Sequence, residues 1–366
     1  MKVLFISNDP SIFDVGSAAR ARMRAYAAVI GELHIVSAAN SGARSLQEGG
    51  LFLHPVRAPR LFRIFVLAWR ARRIIRQHGI EVVSAQDPFE HGLAALWAVR
   101  GTRAKLHVQV HTDFLSPWFG RGSLLNRLRC RIADRVLPQT QGVRAVSERI
   151  KASLVARYGS RVPAPSVVPL TVGATLPAPT PLPAHSFTFA LIVVGRLEKE
   201  KRVEDILAAL KLVRARYPVA GLIIIGDGRE RTRLEHMIRD LGLTGHVLLC
   251  GARADARALL ANAQVFVQAG AYEGYGRTLV EAALARVPIV TTDVGVVGEV
   301  LKPEEDVLVV PVGDSAALAR AVIRLIEDNA LRLQLVIHAE MTARTHLAAH
   351  GVLAEETRAD FARLLS

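Results

Sequence analysis

The chain lacks several patterns that mark particular protein classes. Its 366 residues include two cysteines, Cys130 and Cys250, which are far apart and form no C-x-x-C pair. This excludes a disulfide framework and a cysteine metal site, and it is typical of a protein in a reducing cytoplasm. No apolar run reaches the roughly 18 residues that a membrane-spanning helix needs. The short apolar run in MKVLFISNDP predicts a first β-strand and not a secretion signal.

Motifs for other chemistries are missing as well. There is no D-x-D, and no histidine and aspartate cluster has the spacing of metal ligands, so we expect neither a metal nor an organic cofactor. No G-x-G-x-x-G follows the first strand, which argues against a dehydrogenase. Aromatic residues make up 5% of the chain. That is too few for a surface that stacks on nucleic-acid bases, so we expect no nucleic-acid partner.

Positive charge is concentrated in the first half. Residues 1–180 hold 25 Lys and Arg against 10 Asp and Glu, whereas residues 181–366 hold 22 against 23. A basic half beside a neutral half predicts that the first half meets something anionic: a membrane surface, nucleic acid or an acidic acceptor. The alternative is an arginine-rich composition with no such partner.

Apolar runs alternate with helical patterns throughout, which predicts parallel βαβ units in an α/β fold. Strands are predicted at 3–7, 33–37, 81–86, 105–112, 189–195, 221–226, 246–251, 264–270, 288–293 and 307–311. Helices are predicted at 20–30, 60–78, 91–100, 203–216, 229–241, 278–286 and 315–328, and again after residue 330.

Seven prolines between residues 163 and 183 interrupt this alternation and predict a connector. We therefore expect a first domain at 1–170, a linker at 171–187 and a second domain at 188–345. The remaining residues, 346–366, are expected to form a helix that packs back on the first domain.

The most informative stretch is AYEGYGRTLVEAALARVPIVTT, residues 271–292. Glu273 follows a predicted strand in a glycine-rich loop, and Glu281 lies about one turn into the next helix. Backbone N–H groups at such a helix start bind phosphate, and the two carboxylates can accept hydrogen bonds from sugar hydroxyls. The alternative is that Glu273 caps the helix and Glu281 is a solvated helix residue.

This stretch resembles the E-x7-E signature of retaining glycosyltransferase family 4. Further resemblances follow in the family's order: GRLEKEK (195–201), IIIGDGRERTRLE (223–235), VGVVGEVL (294–301) and VLVVPVGD (307–314). The resemblance implies a GT-B fold, with two Rossmann-like doubly wound domains that face each other across a cleft. It also implies a retaining, metal-independent transfer of a hexose from a nucleotide-diphosphate sugar to a hydroxyl of a glycan or lipid-linked acceptor.

Residues in the second half would then bind the donor. Arg196 and Lys201 follow a buried strand and suit a clamp for the diphosphate, because arginine offers a fork of donors and lysine a point charge. The family usually has glycine where this chain has Arg202, which leaves the shape of this loop open. The resemblance implies a sugar-binding role for Glu273, a ribose-binding role for Glu281, and contacts from a further set: Gly251, Arg253, Gly274, Tyr275, Gly276, Arg277, Thr278 and Leu279.

The first half contributes residues that follow its own strands. The resemblance implies that Gly16 approaches the donor phosphate and that His111 lies near the reacting sugar. Glu90 and Asp113 are weaker candidates for contacts with the acceptor. The alternatives are a turn before a helix at Gly16 and a structural role for His111.

Two segments, 60–76 and 116–135, mix arginine with large apolar residues. In the second, Leu124, Leu128 and Ile132 form one helical stripe beside a stripe of Arg127, Arg131 and Arg135. Such helices lie on anionic bilayers, which predicts a cytoplasmic protein attached to the inner face of the cytoplasmic membrane. The alternative is that the leucines face the core.

Two other enzymes of similar fold class remain as rivals, a sugar phosphorylase and a nucleotide-sugar epimerase. A phosphorylase would need a second anion site for free phosphate and often a pyridoxal-binding lysine, for which the chain offers no candidate.

Overall fold

The computed structural model describes residues 1–39, 43–59, 62–170, 172–173, 175 and 177–366. The chain divides into two compact units. Unit 1 comprises Met1–Leu170 and Gly351–Ser366, and unit 2 comprises Thr171–His350. The first two residues of the predicted helix 60–78, and residues 171, 174 and 176 of the predicted linker, lie outside the described residues.

Unit 1 is built on an eight-stranded sheet. Its strands are β1 (Lys2–Ser7), β2 (Glu32–Ala38), β3 (Leu46–Glu48), β4 (Leu51–Val56), β5 (Val82–Ala85), β6 (Lys105–Val110), β7 (Gly142–Ala145) and β8 (Ser166–Val167). The order across the sheet is β3-β4-β2-β1-β5-β6-β7-β8, and every neighbouring pair is parallel except β3 and β4.

Six helices connect these strands: α1 (Ala18–Ile30), α2 (Arg63–His78), α3 (Glu90–Val99), α4 (Pro117–Gly122), α5 (Leu124–Val136) and α6 (Glu148–Tyr158). Serine side chains begin several of them; the Ser17 hydroxyl, for example, accepts a hydrogen bond from the Arg20 N–H at 3.1 Å. Gly79 ends α2 in the left-handed region at φ 66°.

In unit 1, β3, β4, β7, β8 and α6 were not predicted from the sequence. β4 contains Pro55, although proline cannot donate to a sheet. The structure accommodates it, since pairing with β3 ends at Leu53 and Pro55 lies beyond it.

Unit 2 carries a six-stranded, fully parallel sheet. Its strands are β9 (Phe189–Val194), β10 (Ala220–Ile225), β11 (Val247–Leu249), β12 (Val265–Gln268), β13 (Ile289–Thr292) and β14 (Leu308–Val310), in the order β11-β10-β9-β12-β13-β14. Its helices are α7 (Val203–Arg216), α8 (Arg231–Asp240), α9 (Ala256–Leu260), α10 (Arg277–Leu284), α11 (Ser315–Glu327) and α12 (Asn329–Ala349). This is the doubly wound order of Rossmann-like domains, in which ligands bind beyond the carboxyl ends of the strands.

The last helix, α13 (Leu353–Leu365), belongs to unit 1. Phe361 is fully buried in the core of that unit, with its ring 5.9 Å from Phe5 and 4.9 Å from His107 between centroids. The chain returns to unit 1 at Gly351, somewhat later than the predicted residue 346, because α12 continues to Ala349. Among the described helices none is long and apolar enough to cross a membrane.

Candidate functional site

The loops that follow the strands of unit 2 contain the predicted donor-site residues of that half. Parallel strands present their carboxyl ends at one edge of the sheet, which we call the carboxyl edge. The loop after β9 carries Arg196 and Lys201, the loop after β11 carries Gly251 and Arg253, and the loop after β12 leads through Glu273 into α10.

Two glycines in the loop after β10 allow that loop to pack closely against the loop after β9. A Cβ on Gly226 would lie 1.8 Å from the Gly195 carbonyl oxygen, and one on Gly228 would lie 2.3 Å from that of Leu197. Any side chain at either position would therefore push the two loops apart. Both glycines belong to the IIIGDG stretch, but the sequence alone did not indicate a role for them.

Lys201 and Glu273 meet across two loops. The Lys201 ammonium donates a hydrogen bond to Glu273 Oε1, and the two side chains are 20% and 17% exposed. The Ala271 N–H donates to the Glu200 carbonyl at 2.8 Å and fixes the spacing of the loops. The predicted phosphate-binding cation and the predicted sugar-binding carboxylate are thus adjacent.

Arg202, which stands where the family usually has glycine, keeps a glycine-like backbone. Its φ of 49° and ψ of 43° lie in the left-handed region, which costs a residue with a Cβ about 1–2 kcal/mol. Its guanidinium forms two hydrogen bonds with Asp205, at 2.5 and 3.1 Å, which offset part of that cost. The backbone shape that the sequence left open is therefore retained.

The start of α10 is shaped by glycine on both sides. Gly276 begins the helix at φ 81°, and Gly295 packs so closely that a Cβ there would lie 2.3 Å from the Tyr275 carbonyl oxygen. The Tyr275 side chain is buried, and its hydroxyl shares a 2.8 Å hydrogen bond with His346 Nε2. Tyr275 therefore presents its backbone, and not its ring, to a ligand at the helix start.

Glu281 is buried in α10 between two arginines. Its Oε1 lies 3.4 Å from Arg277 Nη2 and 3.6 Å from Arg257 Nε. Burial raises the pKa of Glu281, and the two arginines oppose that shift without cancelling it. The carboxylate is therefore incompletely compensated, as suits a group that receives hydrogen bonds from a ligand. Arg257 belongs to α9, outside every motif, and was missed from sequence.

A polar pocket lies beneath the same loops. Thr278 donates to Gln268 Oε1 at 3.2 Å, whereas Gln268 Nε2 is buried and has no hydrogen-bond partner within the described structure. A cavity of about 20 Å³ is lined by Gln268, Gly195, Arg196 and Lys201, among others. Such a space suits one water molecule that would satisfy the amide.

Several predicted residues lie on the rim of the site. Arg196 is largely exposed, with its guanidinium 3.6 Å from Glu200, and Arg277 is half exposed. Gly251 takes φ 69° and its carbonyl accepts from the Gly226 N–H at 2.8 Å, so its backbone is fixed. Arg253 forms two hydrogen bonds with Asp255, at 2.8 and 2.6 Å.

In unit 1, His111 follows β6 and its tautomer can be read from its neighbours. The Arg144 guanidinium donates to Gln109 Oε1 at 3.2 Å, so this atom must be the carbonyl oxygen. His111 Nε2, 3.0 Å from the same oxygen, therefore carries a proton and Nδ1 is an acceptor. Burial, with Arg144 next in weight, lowers the pKa of His111 to about 3, so the ring is neutral at neutral pH.

Hydrogen bonds connect His111 to the last helix of the chain. The Gln109 amide donates to Ser84 Oγ at 3.0 Å, and Ser84 Oγ is 2.9 Å from His107 Nδ1. His107 Nε2 is 2.9 Å from Asp360 Oδ2 in α13. This buried polar chain was not visible from sequence, because Asp360 lies 253 positions from His107.

The remaining predicted residues of unit 1 also follow its strands. Glu90 begins α3, and both of its carboxylate oxygens accept from Arg129 Nε, at 2.9 and 3.2 Å. Asp113 follows β6, where burial raises the pKa of its carboxyl although Arg149 opposes the shift. Gly16 lies in an exposed turn before α1, and a Cβ there would meet nothing within 4 Å. Its contact with a donor phosphate stays a prediction.

The basic and apolar segments of unit 1 each expose some of their large apolar side chains. On α5, Leu124 is 80% and Leu128 50% exposed, beside exposed Arg127 and Arg131. The leucines therefore do not face the core, which was the alternative interpretation. Phe62, directly before α2, and Phe65 and Trp69 on α2 are exposed in the same way, and α3 contacts both α2 and α5. Residues 60 and 61 of the segment lie outside the described residues.

Both halves of the chain match the models of known protein families. Residues 20–172 match the family described as Glycosyltransferase Family 4, and residues 185–341 match the one described as Glycosyl transferases group 1.

Curated relatives agree with these matches. The chain is 26% identical over 293 residues to the lipopolysaccharide core biosynthesis glycosyltransferase LpsD of Rhizobium meliloti (strain 1021), which covers 79% of this chain and 77% of the relative. It is 32% identical over 142 residues to LpsE of the same strain, described in the same words, which covers 39% of this chain but only 41% of the relative.

Solved structures share the fold. A sucrose-phosphate synthase from Thermosynechococcus elongatus superposes with a TM-score of 0.82 at 18% identity, over 100% of this chain and 99% of the other. The Anabaena protein HepE, solved in complex with UDP-glucose, superposes with a TM-score of 0.74 at 20% identity, over 100% and 99%. At these identities the likeness concerns the fold, and it confirms the predicted GT-B class.

Proposed function

We propose, from the premise that the chain belongs to the family 4 glycosyltransferases, that it transfers a hexose from a nucleotide-diphosphate sugar to a hydroxyl of a glycan or lipid-linked acceptor. The observation that carries this proposal is the grouping of Lys201, Glu273 and Glu281 around the start of α10 at the carboxyl edge of unit 2. A cation, a helix start and two carboxylates are what a nucleotide sugar requires.

Each part of the donor has a matching group. Lys201, Arg196 and the N–H groups at the start of α10 would face the diphosphate, where the helix dipole adds positive potential. Glu273, next to Lys201, would accept hydrogen bonds from the hydroxyls of the transferred sugar. The incompletely compensated carboxylate of Glu281 would accept those of the ribose.

The same groups would assist bond cleavage. As the sugar–phosphate bond breaks, negative charge grows on the nucleoside diphosphate, and Lys201, Arg196 and the helix dipole oppose that charge. This is the task that a metal ion performs in metal-dependent transferases, so we propose a metal-independent reaction. The resemblance in the E-x7-E stretch further supports transfer with retention of configuration, with the acceptor hydroxyl attacking from the face that the diphosphate leaves.

His111 would act as a neutral hydrogen-bonding group near the reacting sugar. Its Nε2 proton is committed to Gln109, so Nδ1 is the atom available to accept a hydrogen bond from a sugar hydroxyl. A ring held neutral by a pKa of about 3 adds no positive charge beside an oxocarbenium-like sugar.

We further propose that the acceptor is presented at an anionic membrane surface. The exposed leucines of α5 and aromatic residues of α2 are interleaved with arginine, as in helices that lie on bilayers. The relatives LpsD and LpsE are described as lipopolysaccharide core biosynthesis glycosyltransferases, and a lipopolysaccharide contains a lipid, which agrees with this proposal.

The donor assignment can be tested by thermal unfolding against a panel of nucleoside diphosphates and nucleotide sugars. A ligand that binds only the folded protein raises the midpoint by mass action. We expect one nucleotide class to stabilise the wild type and the exposed-site control Glu305→Gln, but not Glu281→Ala. Stabilisation by none of the panel, or equal stabilisation of Glu281→Ala, would contradict the proposal.

Reaction type and membrane contact need separate assays. Nuclear magnetic resonance of the product should show the anomeric configuration of the donor, and chelation with EDTA should leave the rate unchanged. In vesicle flotation, the protein should prefer anionic to neutral lipid at low salt. Leu128→Glu should weaken that preference, whereas Leu212→Glu, at a similarly exposed leucine of unit 2, should not.

A further inference from the structure

A cluster of potential metal ligands lies in unit 1, away from the residues discussed so far. Glu32 and His34 stand two positions apart on β2 and therefore share one face of the sheet. His78 lies in the last turn of α2. One ligand atom from each of these three residues lies within 4.8 Å of the other two. Spacing along the chain did not reveal the cluster, because the fold brings His78 back to β2.

We propose that Glu32, His34 and His78 bind one divalent ion of the zinc class. Two imidazoles and a carboxylate are a common three-residue set for zinc, which takes a water molecule in the fourth position. Metal–ligand distances of about 2.0–2.2 Å in a tetrahedron place ligand atoms about 3.4 Å apart. His34 Nε2 and Glu32 Oε1 are already 3.0 Å apart, and the partly exposed His78 needs only a small movement to close the set.

The surroundings of His34 are those of a positioned ligand. Its ring is fully buried and stacks on Phe52, with centroids 4.5 Å apart and planes within 5°. Its other nitrogen, Nδ1, is 3.0 Å from His54 Nε2. With a metal on Nε2, the proton resides on Nδ1 and is donated to His54, which is the second hydrogen bond that ligating histidines characteristically make.

Positive charge near the cluster comes from Lys2, whose ammonium is 3.3 Å from Glu32 Oε2, and from Arg70, which interacts electrostatically with His54. Lys2 occupies the other carboxylate oxygen and leaves Oε1 directed at His34.

The site is separate from the residues assigned to sugar transfer. Glu32 is the first residue of β2, so the cluster lies toward the amino ends of the strands, whereas His111, Glu90 and Asp113 follow strand carboxyl ends. A bound ion would connect β2 to the end of α2 and act as a brace between sheet and helix.

The test is metal binding to the full-length chain after removal of metal with a chelator. Isothermal titration should show one equivalent of Zn²⁺, and Co²⁺ should give the visible absorption of a four-coordinate nitrogen and oxygen site. His78→Ala and Glu32→Gln should weaken binding at least tenfold, whereas His236→Ala, at an exposed histidine of unit 2, should not. Lys2→Gln should strengthen binding, because it removes an adjacent positive charge.

Thermal unfolding supplies a second measurement that does not depend on spectroscopy. Zn²⁺ should raise the unfolding midpoint of the wild type and of His236→Ala, but much less that of His78→Ala, which is partly exposed and should fold. Absence of stoichiometric binding would overturn the proposal. So would binding that is unchanged in both His78→Ala and Glu32→Gln, or a thiolate absorption band that assigns the ion to Cys130 or Cys250.

Discussion

Replacing Glu281 with glutamine separates ligand binding from stability at the buried carboxylate of α10. The substitution keeps the shape of the side chain and removes its charge. In the proposed complex this carboxylate accepts hydrogen bonds from ribose hydroxyls. A hydrogen bond to a charged partner contributes about 1.5–3 kcal/mol, against about 0.5–1.5 kcal/mol for a neutral one. Because the glutamine oxygen can still accept, we expect donor affinity to fall by about 1–1.5 kcal/mol, which is roughly 5- to 13-fold.

The unfolding free energy of Glu281→Gln should stay the same or rise, although its donor affinity falls. Arg277 and Arg257 are 49% and 28% exposed, and their nitrogens are 3.4 and 3.6 Å from Glu281 Oε1. Ion pairs of this exposure contribute about 0–1 kcal/mol each, which does not outweigh the burial of the carboxylate. Glu281→Gln should therefore be as stable as the wild type at pH 7, or more stable.

The pH dependence of the unfolding free energy follows from the raised pKa of Glu281. Because the folded protein binds this proton more tightly than the unfolded chain does, the unfolding free energy falls as pH rises from the unfolded pKa to the folded one. The glutamine variant lacks this loss. The stability advantage of Glu281→Gln over the wild type should grow across that interval and then level off.

Urea unfolding between pH 4 and 8, combined with titration of the donor, measures both effects on the same preparations. Glu305→Gln, at an exposed glutamate, serves as the control for removing a carboxylate in unit 2. A variant that loses stability at pH 7, or one that binds the donor as well as the wild type, would refute the reasoning about this site.

Three further substitutions test other parts of the molecule. In urea unfolding, the Arg202→Gly variant should be more stable than Arg202→Ala by about 1 kcal/mol, because relief of the left-handed strain exceeds the entropic cost of glycine. Equal stability of the two variants would argue against strain at this position. Gln109→Glu should raise the pKa of His111, measured by nuclear magnetic resonance, because a carboxylate would then accept the Nε2 proton; an unchanged pKa would contradict the assigned contact. His91→Gln should cost more stability at pH 6 than at pH 9: burial lowers the pKa of His91 but Asp87 outweighs it and raises the value, so the stabilisation is lost as pH rises through the folded pKa. Equal losses at both pH values would exclude a charged His91.

Sequence patterns predicted the fold class because hydrophobic periodicity reports burial directly. The buried strands β1, β2, β9 and β12 are apolar runs with clear turn signals, and each was found within a few residues. β4 was not predicted, because its polar and proline positions resemble a turn. It is a strand because it pairs with two neighbouring strands, and no local sequence pattern encodes that pairing.

The donor site was predictable to the extent that its residues share short loops. Glu273 and Glu281 lie eight positions apart around one helix start, so one motif contains them both. Arg257 reaches Glu281 from a different helix, and Asp360 reaches His107 from the end of the chain. Such contacts depend on tertiary packing, and sequence alone gives no sign of them.

The position of α13 bears on how the chain folds during synthesis. Phe361 completes the core of unit 1 beside Phe5, but it is translated only after all of unit 2. At about 5–20 residues per second, the ribosome takes roughly 10–40 s to pass from Leu170 to Gly351. During that interval unit 1 lacks a buried phenylalanine and the partner of His107, although its whole sheet has been made. A nonsense mutation anywhere before residue 351 would leave that defect permanent, so completion of the unit 1 core depends on translation through all of unit 2.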